Sequence, residues 1–170
     1  MLSSVTDNRN IIMPPVQRYQ KVLLAHDGSE MSDKALRHAA YIAKAANAEL
    51  VILNVIETDA IPPSSVLAFM RPDVALEKAK DELRGQLAGG ARHMLDERVK
   101  ASKDATGLAS ISSMVRFGRP AEEIISAAEE GNYDIIVMAS AKITSPIRIL
   151  GSTARRVLDS TRKPVLIVHE

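Results

Sequence analysis

Two short polar motifs in this chain have residue types that could bind a ligand, and each opens a helix-forming segment. Gly151-Ser152-Thr153 starts the last helical segment, where free backbone N–H groups and the helix dipole favour an anion. Its small residues would let a phosphate approach closely. Asp27-Gly28-Ser29 supplies a carboxylate that could accept hydrogen bonds from a ligand. Both motifs also suit ordinary helix capping, and from residue types alone capping explains Asp27 at least as well.

Basic residues cluster in sequence around the second motif, at Lys142, Arg148, Arg155 and Arg156. They could hold phosphates, although a solvated basic face balanced by nearby glutamates is the simpler explanation for each one. The sequence contains no Gly-x-Gly-x-x-Gly, Walker, Gly-x-Ser-x-Gly or His-Glu-x-x-His motif. The four histidines lack metal-ligand spacing. Only His26 is expected near the two motifs, in a structural or solvent-facing role.

The elements that must position these motifs alternate between short apolar strands and helices. Strands of the buried type are predicted at residues 21–25, 50–56, 111–117, 134–139 and 164–168. The irregular stretch 57–72 is predicted to be a long loop. A long helix should follow it, capped by Asp73 and ending near Lys100, with Gly89-Gly90 weakening its middle. Proline at position 120 suits the first residue of the next helix.

Five strands joined by helices predict an α/β fold: an open, doubly wound five-stranded parallel sheet with helices on both faces. Ligands of such sheets bind beyond the carboxyl ends of the strands, where the winding direction reverses. If the strand order is 3-2-1-4-5, the reversal falls between strands one and four. The loops 26–29 and 140–153 are therefore the expected site.

Composition bounds the function classes. The 170 residues are 46% hydrophobic, which suits one domain with a proper core. A net charge of +1 and 3% aromatic residues argue against nucleic-acid binding. The absence of cysteine excludes disulfides and thiolate chemistry and is compatible with the cytoplasm. No apolar run or signal-peptide core suggests a membrane or secretory role. Residues 1–18 are expected to form a flexible extension and 19–170 the domain.

Six segments, in this order along the chain, resemble the universal stress protein family. They are Val22-Leu23-Leu24-Ala25-His26-Asp27-Gly28-Ser29-Glu30, Leu53-Asn54-Val55-Ile56, Gly118-Arg119-Pro120-Ala121-Glu122-Glu123-Ile124, Asp134-Ile135-Ile136-Val137-Met138-Ala139-Ser140, Gly151-Ser152-Thr153 and Lys163-Pro164-Val165-Leu166-Ile167-Val168. The resemblance covers about residues 19–170. It implies the strand order 3-2-1-4-5 of the adenine nucleotide alpha hydrolase-like fold. It also implies a cytoplasmic stress-response binding module, not an enzyme. Members of the family commonly form homodimers through the last strand, so the resemblance implies a homodimer through Val165–Val168, which fits an apolar edge that would otherwise be unprotected. Nucleic acid and membrane are not expected as partners, and no protein partner is identified.

Members of the family that bind ATP resemble one another in a loop of pattern Gly-x2-Gly-x9-Gly-Ser/Thr after strand four, and this chain departs from that pattern. Ala139 and Lys142 stand at the first two glycine positions, and the loop is one residue shorter. A non-glycine residue forced to positive φ costs about 1–2 kcal/mol. Two such losses would weaken micromolar binding roughly ten- to several-hundred-fold, unless Lys142 compensates by meeting a phosphate. The resemblance thus implies a degenerate site for ATP or AMP, with Mg²⁺ only alongside a bound nucleotide and no other metal.

The resemblance assigns ten residues to this site, of which Asp27 and Val55 match positions that contact the adenosine part. The ten are Ala25, Asp27, Val55, Met138, Ala139, Ser140, Lys142, Gly151, Ser152 and Thr153. A slow nucleotide hydrolase or phosphotransferase using the same loops is the alternative, with roles for Asp27, Ser152 and Lys142. A phosphoacceptor domain of the response-regulator type fits poorly, because strand three ends in Arg116-Phe117-Gly118 where the acceptor carboxylate should stand.

Overall fold

The computed structural model describes residues 18–72, 74–140 and 150–169, which contain one five-stranded sheet. The strands are β1 Lys21–Ala25, β2 Glu49–Glu57, β3 Ile111–Gly118, β4 Ile135–Ala139 and β5 Val165–Val168. Every neighbouring pair is parallel, in the order β3-β2-β1-β4-β5. The predicted fold class and strand order are therefore confirmed.

Helices cover both faces of this sheet, as predicted. Within the described ranges they are α1 Glu30–Ala46, α2 Ser64–Met70, α3 Leu76–Thr106, α4 Pro120–Glu130 and α5 Ser152–Ser160. Because successive strand residues point to opposite faces, Leu24 of β1 enters the core beneath α1 and α3. Its neighbour Leu23 enters the second core, beneath α4 and α5. Both leucines are 0% exposed, and such burial is worth roughly 1.5–3 kcal/mol for each side chain.

The stretch 57–72 is not the long loop that the sequence suggested. It contains a 3-10 turn at Thr58–Ala60 and then α2. Pro63 stands at the N-cap of α2, a place where the missing N–H of proline does no harm. Leu67 is the buried residue of α2, and α2 packs against α3. Pro62 and Pro63, the prolines of this stretch, therefore directly precede a helix and do not exclude one.

The long helix α3 also differs from its prediction. It continues to Thr106, beyond the expected end near Lys100, and Gly107 terminates it in the left-handed conformation at φ 66°. Gly89 and Gly90 lie within it on exposed positions, so no packing depends on a side chain there. The predicted cap Asp73 lies outside the described residues. At 31 residues α3 is long, but no helix of the described chain is both long and apolar enough to cross a bilayer.

Candidate functional site

A cleft opens at the carboxyl ends of β1 and β4, between the loop after β1 and the start of α5. The described residues enclose about 190 Å³ there. The chain leaves β1 toward β2 on one side, while β4 and β5 lie on the other. This is the point where the winding of an open parallel sheet reverses and where such sheets bind ligands. Part of its lining is apolar, including Leu53, Ile124 and Met138.

Seven of the ten residues assigned from the sequence line this cleft. They are Ala25, Asp27, Val55, Met138, Ala139, Gly151 and Thr153. Ser140 and Ser152 are not among the lining residues: Ser140 is buried with its N–H donating to the carbonyl of Val168 at 2.9 Å, and Ser152 is exposed as the first residue of α5. Lys142 lies outside the described residues. Asp27 and the start of α5 thus face one cavity.

The loop after β1 is held by hydrogen bonds that converge on one oxygen of Asp27. Asp27 Oδ1 accepts from the Ser29 N–H at 2.9 Å and from the Ser32 hydroxyl at 2.6 Å. Ser29 in turn caps α1, since its hydroxyl accepts from the Ser32 N–H at 3.2 Å. The second carboxylate oxygen, Oδ2, takes no part in these bonds. Asp27 therefore acts as a local cap and still presents one oxygen for other contacts.

The ionisation of Asp27 follows from the same contacts. Partial burial acts to raise the pKa of the Asp27 carboxyl, but the hydrogen bonds from Ser29 and Ser32 outweigh it. The net result is a pKa below the usual value for aspartate. Asp27 is an anionic acceptor at neutral pH, suited to hydroxyl or amine donors.

The start of α5 presents free amides to the same cleft. Gly151 occupies the N-cap and no side-chain hydrogen bond caps this helix. The first amide with a partner inside the helix belongs to Arg155, which donates to the Gly151 carbonyl at 2.9 Å. The preceding N–H groups have no such partner, as is usual for a first turn. Thr153 and Ala154, which carry two of these groups, line the cleft. This turn can therefore receive an anion.

Backbone strain at Ala139 was expected because it replaces a glycine, and the structure does not show it. Ala139 is the last residue of the extended strand β4. Among the described residues, Asn47 and Asn132 are the only non-glycine residues with positive φ. The penalty of a left-handed alanine therefore does not apply at this position.

Seven lining residues are not among the ten assigned from the sequence, although His26 was expected near the site. They are His26, Ser32, Leu53, Glu57, Pro120, Ile124 and Ala154. Leu53 and Glu57 lie two residues on either side of Val55, so the two-residue period of a strand could have identified both. Glu57 adds a second carboxylate to the cleft. Ile124 and Pro120 come from α4, whose packing over β2 is a long-range contact that no local sequence signal specifies.

His26 is buried beneath the Asp27 loop and belongs to a cluster of three charged or titratable residues. Its side chain is 0% exposed, and Nε2 lies 2.9 Å from Oδ1 of Asp33 in α1. Arg98 of α3 donates to both oxygens of Asp33: Nε lies 3.1 Å from Oδ1, and Nη2 lies 3.4 Å from Oδ2. His26 Nδ1 accepts from the Gly28 N–H at 3.0 Å. Burial lowers the pKa of His26 below its usual value, outweighing the opposite effect of Asp33. We call His26, Asp33 and Arg98 the His26 cluster.

The cleft combines an anion site, a carboxylate acceptor and a partly apolar lining. The α5 amides could hold a phosphate, Asp27 could accept from sugar hydroxyls, and Val55 and Met138 offer contact to a flat ring. In the described residues no group of three or more His, Asp or Glu side chains is arranged to hold a metal ion. The residues present thus fit a small phosphorylated ligand with a sugar and a ring.

Comparison with known proteins agrees with this architecture. The model of the universal stress protein family matches residues 18–169. A universal stress protein of Methanocaldococcus jannaschii is 30% identical over 155 residues, covering 88% of this chain and 94% of the relative. Universal stress protein YxiE of Bacillus subtilis is 32% identical over 153 residues, covering 89% and 99%.

Solved structures show the same fold. The universal stress protein UspA of Lactobacillus plantarum superposes with a TM-score of 0.72 at 24% identity, covering 90% of this chain and 99% of that one. A universal stress protein solved in complex with cAMP has a TM-score of 0.62 at 25% identity, covering 90% and 98%. The agreement of a family model over nearly the whole chain with these relatives and structures leads to one conclusion. This chain belongs to the universal stress protein family.

Proposed function

We propose that the chain is a stress-response binding module, not an enzyme, whose cleft binds an adenine nucleotide, AMP or ATP. One observation carries the proposal: the Asp27 carboxylate and the uncapped start of α5 line the same cleft. These are the two kinds of group that a nucleotide needs, an acceptor for ribose hydroxyls and an amide cluster for phosphate. The relative in complex with cAMP supports the same ligand class.

The lining residues of the cleft suggest which part of the nucleotide each of them would contact. The phosphate would lie at the amides of Thr153 and Ala154, and Asp27 Oδ2 would accept from the ribose. The base would contact Val55 and Met138. Because Ala139 is not strained, the two departures that still bear on affinity are Lys142 and the loop that is one residue shorter. We therefore expect weaker binding than a loop with both glycines provides, within reach of a titration at millimolar nucleotide.

Isothermal titration calorimetry with AMP and with ATP tests the proposal on the full chain. Asp27→Asn keeps an oxygen for Ser29 and Ser32 but replaces the ligand-facing acceptor by an amide. Loss of a charge-assisted hydrogen bond, about 1.5–3 kcal/mol, corresponds to roughly ten- to a hundred-fold weaker binding. Asp59→Asn removes the same charge from the exposed turn Thr58–Ala60, outside the cleft, and should bind as the wild type does.

Three outcomes would overturn the proposal. Absence of binding at millimolar AMP and ATP would leave only a module that binds protein partners. If the protein hydrolyses ATP faster than buffer alone and Asp27→Ala abolishes this activity, the slow hydrolase is favoured instead. Equal affinity of the Asp27→Asn and Asp59→Asn proteins would show that the nucleotide binds elsewhere.

We further propose a cytoplasmic homodimer joined through β5. This strand lies at one edge of the sheet and pairs only with β4 in the described chain. Three of its four residues, Val165, Leu166 and Ile167, are only partly buried. An apolar edge strand with unpaired backbone groups tends to pair with another strand, and a second copy of the same edge satisfies it symmetrically. The mass of the protein in solution tests this part of the proposal.

A further inference from the structure

We propose that His26 is a positioning residue for the Asp27 loop and makes ligand binding by that loop sensitive to acid. In this proposal the neutral ring holds the Gly28 N–H through Nδ1, and protonation of Nδ1 releases the loop. The inference rests on the proposed nucleotide site, because it states how the pH governs that site. Its second measurement needs no ligand.

Hydrogen bonding fixes the tautomer of His26. Nδ1 lies 3.0 Å from the Gly28 nitrogen, which can only donate, so Nδ1 must be the unprotonated acceptor. The proton of the neutral ring therefore sits on Nε2, which donates to Asp33 Oδ1 at 2.9 Å. A carboxylate is the matching acceptor, and Arg98 contacts both of its oxygens and so fixes its position. Both ring nitrogens are thus used in one tautomer only.

Protonation would turn this arrangement against the loop. An imidazolium ring donates from both nitrogens, so a proton on Nδ1 would face the Gly28 N–H with no acceptor between them. The Gly28 N–H would lose its partner, and the turn at residues 27–29 would have to move. Asp27 belongs to that turn, and its backbone N–H donates a hydrogen bond to the Ser32 hydroxyl at 3.3 Å. Movement of the turn would displace the Asp27 carboxylate from the cleft.

Hydrogen bonds from β2 hold the backbone of His26 in place when the turn moves. Asn54 of β2 donates from Nδ2 to the backbone carbonyl of His26 at 2.7 Å, and both groups are buried. The His26 N–H also donates to the Leu53 carbonyl at 2.8 Å. The backbone of His26 is therefore anchored on both sides, so the strain of a protonated ring falls on the turn after it. Gly28 at φ 87° is the flexible element of that turn.

Burial sets the direction of the response at His26, and three charged side chains that face the ring modify it. Asp33 of α1 and Asp27 of the loop favour the protonated ring, whereas Arg98 of α3 opposes it. Burial opposes protonation most strongly and holds the pKa of His26 below its usual 6.5. The observed arrangement of the Asp27 loop is therefore fully stabilised above about pH 6.5, and this stabilisation is lost as the pH falls through the lower pKa that His26 has in this arrangement. A single proton lowers the affinity by at most about tenfold per pH unit in this range.

The first measurement compares AMP affinity at pH 7.5 and pH 5.0 by calorimetry. His26→Asn places an amide oxygen near the position of Nδ1, so it keeps an acceptor for Gly28 that does not titrate. The wild type should lose affinity at pH 5.0, by at most about tenfold for each pH unit below 6.5, and His26→Asn should lose clearly less. His93→Asn, at a histidine whose side chain is 81% exposed on α3, should follow the wild type. Identical pH profiles for the wild type and His26→Asn would overturn the proposal.

The second measurement uses nitrogen NMR of the ligand-free protein with labelled histidine and labelled glycine. At pH 7.5 the His26 Nδ1 signal should be that of an unprotonated nitrogen, and the Gly28 amide should shift as Nδ1 titrates. A protonated Nδ1 at pH 7.5, or a Gly28 amide that ignores the titration, would overturn the proposal. If these signals behave as expected while AMP fails to bind, the loop switch stands and the nucleotide assignment alone is wrong.

Discussion

Gly28 offers a test in which backbone conformation alone should change stability. Its φ is 87°, in the left-handed region, and an added Cβ would lie 3.9 Å from the nearest side-chain atom, Met94 Cε. Alanine therefore fits without a clash, and its cost is conformational, about 1–2 kcal/mol. For a chain of this length such a loss lowers Tm by roughly 2–8 °C. Gly28→Asn should lose less, because asparagine tolerates this conformation better.

Gly107 supplies the matched control for this substitution. It has φ 66° at the end of α3, and an added Cβ would meet nothing within 4 Å. Gly107→Ala should lose a similar stability, measured as the urea midpoint at unchanged m value. Only Gly28→Ala should also weaken AMP binding, because only that turn carries Asp27. The reasoning fails if Gly28→Ala is as stable as the wild type, or if Gly107→Ala weakens AMP binding equally.

Three other changes probe the support of the loop, its ionisation and the assembly. Asn54→Val removes the 2.7 Å hydrogen bond to the buried His26 carbonyl. It should lower the free energy of unfolding, measured in urea, by about 1–3 kcal/mol, and an unchanged urea midpoint would contradict this prediction. Hydrogen bonds hold the pKa of Asp27 below 3.8, so their stabilisation is present above that pH and is lost as the pH falls through the lower folded value. Asp27→Ala should accordingly flatten the acid side of the stability-versus-pH curve, and a curve of unchanged shape would refute this. Ile167→Lys places a charge in the partly buried edge strand β5 and should yield monomers in sedimentation equilibrium, whereas a persistent dimer would place the interface elsewhere.

The sheet could be predicted because its strands are short apolar runs whose type and bounds are local properties. The run 21–25 was predicted and is observed as Lys21–Ala25, with its three central residues fully buried. Placing the site needed the strand order 3-2-1-4-5, which the family resemblance implied, since the reversal between β1 and β4 brings the loop of Asp27 and the start of α5 together. Motif chemistry at Gly151 then identified the helix end that faces the cleft.

The remaining features depend on long-range contacts or on a misread local signal. Arg98 meets Asp33 across 65 residues of sequence, so neither the burial of His26 nor its tautomer could be predicted from neighbouring residues. The stretch 57–72 was predicted to be a loop, but Pro63 within it stands at the N-cap of α2. The end of α3 was misplaced although Gly107, a residue type that commonly ends helices, marked it in the sequence.

The central claim is that the Asp27 loop and the first turn of α5 form one nucleotide site, and an amide NMR titration with AMP tests it most directly. The backbone amides of Gly28, Thr153 and Ala154 should shift together and give one dissociation constant. Shifts confined to one of the two elements, or no shifts up to millimolar AMP, would contradict the claim.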